Sequence, residues 1–384
     1  MKTKRLPLFS LLLAGLLAGH VSAADHPAAQ AITVEHRDQQ AVLEFLEDYQ
    51  PPVLAGEREL SFAEFSQELA KPRVVFVGEQ HDRYDHHLNQ LAILRALHAQ
   101  NPKLAIGLEW FQQPFQAVLD DWLASKLSDA ELLKQSDYYQ RWRFDFRMLR
   151  PILEYAKVHQ LLVLALNAPS ELTRKVAEGG LDSLSAEERA QLPAEITPPQ
   201  PAYRDYLQQV FAEHGQGSGN LERFISVQRI WDETMAANAV AFLQQHPDYR
   251  LLVLAGSGHT GRGVAIPADV ARRLPEAGLA TVFSSERERI KPGSFDYFVL
   301  TQARELPPTG KLGVWLDERD DGLFVRQLGK GKCGRQGWRA GRRPYRPQVD
   351  DQVVADTADL LIRLAQHQPG DEVTLPNWAR GGKS

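Results

Sequence analysis

Five short runs of Val, Leu and Ile constrain this chain more than any other feature: RVVFVG (73–78), KLAIGLE (103–109), LLVLALN (161–167), RLLVLAG (250–256) and LATVFSS (279–285). Continuous rather than alternating apolar character over so few residues is the pattern of a strand covered on both faces, as parallel strands are. Between the first two runs, HHLNQLAILRALHAQNP spaces its apolar residues as a helix does and stops at Asn101-Pro102. Strand alternating with helix predicts an α/β fold, a mostly parallel sheet with right-handed crossovers and helices on both faces. The interval 113–247 holds only one of the five runs and is otherwise helical in pattern, punctuated by Pro193 to Pro201 and Gly215 to Gly219. It is too long for plain crossovers, so a helical cap inserted over one edge of the sheet is expected there. The expected α/β domain covers 61–300, after an ordered polar lead-in at 24–60.

With 384 residues, 43% of them hydrophobic, the chain can fill a core. Its first residues have the make-up of an export signal: Lys2, Lys4 and Arg5, an apolar stretch from Leu6 to Gly19, and Val21-Ser22-Ala23 as a small-residue cleavage site. Residues 1–23 are therefore expected to be removed, leaving a soluble protein that is periplasmic or secreted. No cysteine lies near the cleavage site to carry a lipid, and no later segment is apolar enough to span a membrane. The formal charge of -5 becomes -8 once the three leader cations leave, which gives no reason to expect nucleic acid as a partner. Cys333 is the only cysteine, so no intramolecular disulfide can form.

In open α/β sheets ligands sit at the carboxyl ends of the strands, where loops converge. Polar residues recur there: Glu79 and His81 after the first run, Glu109 at the end of the second, Asn167 at the end of the third, and Gly256-Ser257-Gly258-His259 after the fourth. A carboxylate abutting LAIGL is costly unless paired or coordinated, which makes Glu109 hard to dismiss. Imidazoles and carboxylates without thiolate suit a divalent metal such as Zn or Mn, held by His81, Glu109 and His259, or a metal-free acid–base pair. As a hydrolase the chain would use Glu79, His81, Glu109 and His259, a carboxylate taking the proton from water. Asp82, His86 and His87 are further candidates, equally readable as the polar first turn of a helix.

Gly78-Glu79-Gln80-His81, Gly107-Leu108-Glu109-Trp110, RPILEYAKVHQLLVLALNAP (150–169) and Gly256-Ser257-Gly258-His259 together resemble the ChaN-like haem-binding uptake family, part of the superfamily of Tiki metalloproteases and erythromycin esterases. The resemblance covers about residues 45–300. It implies an exported protein of haem and iron uptake that binds haem, often through a tyrosine and as a dimer. It also carries site positions onto Glu79, His81, Glu109 and His259. Relatives often have Tyr before the Arg-Pro of LRPILEYA, where this chain has Leu149, so the tyrosine ligand falls to Tyr138, Tyr139 or Tyr155. Arg141, Arg143, Arg147 and Arg150, interleaved with aromatics, are candidates for the haem propionates.

After Leu300 the pattern changes. Residues 308–384 resemble a PDZ domain of the bacterial protease type, opened by Leu312-Gly313-Val314 and closed by VDDQVVADTADLLIRLAQHQPGDEVTL. Such a domain captures a C-terminal peptide, here of an envelope protein, with backbone N–H groups near Leu312 and Gly313 taking the carboxylate. Residues 332–348 break the pattern with basic residues and glycines. Codons allowed for Lys332 to Trp338, read one nucleotide later, spell Ser-Ala-Ala-Asp-Lys-Ala-Gly, which suggests two compensating frameshifts bracketing that stretch. Three readings result: a haem-binding protein with a peptide-binding module, a metal-dependent hydrolase, and an envelope scaffold acting through the PDZ-like part.

Overall fold

The computed structural model describes residues 34–214, 220–301 and 303–309, and beyond them 314–319, 322–328, 348–349, 352–365, 367 and 371. In chain order the elements are α1 (Val34–Glu47), β1 (Val53–Ala55), β2 (Arg58–Leu60), α2 (Phe62–Leu69), β3 (Val74–Glu79), α3 (Tyr84–Gln100) and β4 (Leu104–Gln112). Next come α4 (Gln116–Leu123), α5 (Asp129–Gln135), α6 (Tyr138–Arg141), α7 (Arg150–Val158), β5 (Leu162–Asn167), α8 (Ser170–Gly179), α9 (Ala186–Arg189), α10 (Pro201–His214) and α11 (Leu221–Gln245). Then follow β6 (Arg250–Gly256), α12 (Ala265–Arg273), β7 (Leu279–Ser285), β8 (Tyr297–Leu300), β9 (Val314–Arg319), β10 (Gly322–Leu328), β11 (Gln348–Val349), β12 (Gln352–Val353) and α13 (Thr357–Leu364).

All five apolar runs are strands of one eight-stranded sheet in the order β2-β1-β8-β7-β3-β6-β4-β5, and every pairing from β8 to β5 is parallel. Strand alternation divides the core into two layers. Val75, Val77, Ile106, Leu108, Leu252 and Leu254 face α2, α3 and α7 on one side. Val74, Phe76, Ala105, Leu251, Val253 and Ala255 face α11 and α12 on the other. The helical interval contributes α4 to α11 and the single strand β5, as its pattern predicts.

Three strands went unseen in the sequence. β1 and β2 lie inside the polar lead-in as a hairpin turned by Gly56, whose φ of +63° is open to glycine at little cost. β1 pairs antiparallel with β8, so residues 53–60 extend the sheet. Three or four residues per strand are too few to show a period.

In the C-terminal part β9 and β10 form an antiparallel hairpin and α13 is an amphipathic helix, with Asp359 bound to Lys134 of α5 at 2.8 Å. Leu312, Gly313, most of the broken stretch at 332–348, and the export signal at 1–23 lie outside the described residues. Among the described residues no helix is long and apolar enough to cross a membrane.

Candidate functional site

β6 lies between β3 and β4, with Gly256 level with Glu79 of β3 and Leu254 level with Leu108 of β4. A Cβ on Gly256 would fall 2.8 Å from His81 Cε1, 3.0 Å from its Nε2 and 3.5 Å from Glu109 Oε2. The missing side chain on the middle strand is what lets an imidazole from one neighbour and a carboxylate from the other meet above it. Gly256 N–H donates to Glu109 Oε2 at 2.6 Å. His259, in a short 3-10 turn after β6, brings Nε2 to 3.7 Å from Glu109 Oε1. His81, Glu109 and His259 thus share one cleft, as expected.

Glu79 stands behind them, 1% exposed. Its Oε1 is 2.7 Å from His81 Nδ1 and accepts from Trp110 Nε1 at 3.3 Å, and its Oε2 is 3.1 Å from His87 Nε2. Burial pushes the Glu79 carboxyl up, but the charge of His87 and the bond and charge of His81 outweigh it and leave the group below its ordinary range. For His81 burial opposes protonation. The hydrogen bond to Glu79 and the charges of Glu109, Glu79 and Asp82 win and raise it to about 9. His259 is raised too, because Glu109 and Asp232 outweigh its burial. His81 is therefore a cation near neutral pH, and the carboxylates around His259 favour its protonated form as well.

His86 and His87 are buried in the first turn of α3. His86 accepts from Gln80 N–H at 3.1 Å and is held neutral, down to about 4, chiefly by burial. It is a structural residue, whereas His87 braces Glu79. Asp82 is exposed in the turn and acts on His81 only through its charge. Asn167 donates to the Glu109 carbonyl at 3.0 Å and shapes the strand end.

Sequence reasoning missed four contributors. Asp232, fully buried in the middle of α11, has Oδ1 2.7 Å from His259 Nδ1, while Oδ2 accepts from Tyr203 Oη at 2.9 Å and Arg229 Nη1 at 3.1 Å. Its only trace in the sequence is an acidic residue flanked by the apolar Ile230, Trp231 and Met235. Trp142 and Phe144 close on His81 with ring centres 4.7 and 5.0 Å away. Tyr206 of α10 is 43% exposed, and its Oη lies 3.2 Å from where a Gly258 Cβ would stand, at the rim of the cleft.

The three expected haem tyrosines lie in different settings. Tyr138 is 1% exposed, its hydroxyl lacks any hydrogen-bond partner, and burial drives it well above the ordinary phenol range. Tyr139 packs edge-on against Tyr138 and is pushed up to about 12, mainly by burial. Tyr155 bonds His98 in the last turn of α3, fourteen residues along a helix that starts at the cleft, hence roughly 20 Å away towards the amino ends of the strands. Of the arginines, Arg141 is bound to Gln112, Ser170, Glu171 and Asp137, Arg150 to Asp129 and Glu154, and Arg147 to Asp145 and the Pro307 carbonyl. Arg143 is exposed on a left-handed backbone, φ +71°, between the two aromatics that cover His81.

The expected divalent metal at His81, Glu109 and His259 is not supported. Among the described residues no group of three or more His, Cys, Asp or Glu side chains is arranged to hold an ion. Glu79, the Gly256 N–H and Asp232 bond His81 Nδ1, Glu109 Oε2 and His259 Nδ1 in turn and fix how each group is oriented. Their remaining atoms make acid–base geometry: two imidazoles, each oriented by its own carboxylate, on either side of Glu109.

A family model described as haem-binding uptake, Tiki superfamily, ChaN matches residues 65–270. Among solved structures the chain is similar to ChaN of Campylobacter jejuni, described as binding heme cofacially, at 19% identity and a TM-score of 0.53 over 65% of this chain and 96% of that one. At that identity the likeness is one of fold. A mutant of the erythromycin esterase EreC in its open conformation matches at 14% identity and TM-score 0.36 over 61% and 78%, and the type III effector HopBA1 at 11% and 0.39 over 62% and 92%. No curated protein matches the sequence.

Proposed function

The chain belongs to the ChaN haem-binding uptake family of the Tiki superfamily, and from that premise we propose that it binds haem at the mouth of the cleft. The observation that carries this placement is the rim itself. Trp142 and Phe144 form an aromatic wall against His81 and Tyr206, 43% exposed, brings its hydroxyl beside Gly258, while Tyr138 is buried, Tyr139 is partly buried and Tyr155 is remote. A tyrosinate is a suitable axial ligand for ferric haem. Arg143 is an exposed cation beside the aromatic wall, placed for a propionate. Titration with haemin tests the reading. Wild type gives a Soret band that moves in Tyr206→Phe and weakens about tenfold in Arg143→Ala, as for loss of one charge-assisted hydrogen bond. A band unchanged in Tyr206→Phe and lost in Tyr155→Phe places the haem at the other end of the strands instead.

A second reading rests on the two oriented imidazoles. The cleft would cleave an ester or related bond without metal, His81 delivering a proton and Glu109 polarising water. It expects activity that survives EDTA and disappears in His81→Asn. Export with loss of residues 1–23, assembly as a homodimer and capture of an envelope protein's C-terminal peptide near Leu312 and Gly313 complete the proposal. The mass of the mature chain, light scattering with and without haemin, and pull-down with C-terminal peptides test them in turn.

A further inference from the structure

We propose that His98 and His159 form a second site, towards the amino ends of the strands and away from the cleft, that takes a divalent transition-metal ion of the zinc type. His98 lies in the last turn of α3 and His159 caps α7, and the two helices pack together. Their ring centres are 5.1 Å apart. With a zinc–nitrogen bond of about 2.0–2.1 Å and a ring centre roughly 1.1 Å beyond the nitrogen, two imidazoles on one tetrahedral ion have centres about 5.2 Å apart, against about 6.3 Å when they lie trans. The observed spacing matches the tetrahedral arrangement.

Three further features favour a cation here. His98 Nδ1 is 3.0 Å from Tyr155 Oη, so Nε2 is the nitrogen left over. With Nε2 bound to an ion, Nδ1–H donates to Tyr155, the outer-shell contact that fixes a ligating histidine. Tyr155 also packs on His159 at 4.2 Å between centres and holds that exposed ring in place. Both helices end at this point, and a helix carboxyl end carries about half a negative charge. His98 is shifted towards its neutral form, by burial and then by the charge of His159, which is the form that ligates. Lys157 is drawn aside over the Trp122 ring at 4.2 Å, leaving Arg95, whose charge acts on Tyr155, as the one opposing cation identified there among the described residues. Two protein nitrogens and solvent oxygens would complete the shell, since no third His, Cys, Asp or Glu among the described residues joins them.

Calorimetric titration of the full chain with zinc chloride tests the assignment. Wild type takes up an equivalent of zinc that His159→Ala and His98→Gln lose, Tyr155→Phe binds it about 10–100-fold more weakly, and His81→Asn retains it. His159 is on the surface, so its alanine variant folds, and a melting curve checks the His98 variant. Unchanged stoichiometry and affinity in His159→Ala overturns the proposal, as does loss of the same equivalent in His81→Asn.

Discussion

The two halves of the cleft do the same job with different materials. On the His81 side the orienting carboxylate, Glu79, has imidazoles and an indole for partners: His81, His87 and Trp110. On the His259 side Asp232 is tied to the guanidinium of Arg229, which also binds Glu233 and Asp269 inside the protein. The His81 imidazole gives up its charge as pH rises through about 9, whereas a guanidinium stays charged. One half of the site is therefore built to respond to pH and the other to stay put.

The sharpest way to break that contrast is Asp232→Ala. It leaves Arg229 short of one buried partner and His259 without its anchor, and is expected to cost about 3–5 kcal/mol, read from urea unfolding. A cost below about 1 kcal/mol would mean the anchored half is not anchored. Gly256→Ala comes next. Its methyl meets His81 Cε1 at 2.8 Å, and the ring cannot retreat because Trp142 and Phe144 hold it, so a loss of about 1–3 kcal/mol is expected. The smallest effect is the pH response of His81, which is partly exposed. Its folded pKa, about 9, lies above the unfolded value of 6.5, so the stability it contributes is complete below about pH 6.5 and is lost as pH rises through about 9. In Glu79→Gln an NMR titration of His81 should fall back towards its ordinary value. A midpoint that stays near 9 would assign the shift to Glu109 and Asp82 instead.

The same contrast marks what could be read from the chain. Glu79 and His81 sit two residues apart behind a strand whose apolar run is unmistakable, so half of the site was visible as a local pattern. Glu109 and His259 were visible for the same reason, each closing such a run. Asp232 was not, because α11 brings it to His259 across 27 residues by tertiary packing alone. Likewise nothing local distinguishes Trp142 and Phe144 from the core aromatics around them. The tyrosines were chosen because the motif's own tyrosine position holds Leu149, and burial, which the sequence does not spell out, separates Tyr138 from Tyr206. The hairpin β1–β2 and strand β8 escaped because the sheet, rather than their own composition, makes them strands.

The edge-on contact of Trp142 with His81 gives the cleft a built-in optical gauge. A protonated imidazole quenches indole emission more strongly than a neutral one, so titrating His81 brightens Trp142 as the solution turns alkaline. Anything that prises the two rings apart should register in the same emission, without a label.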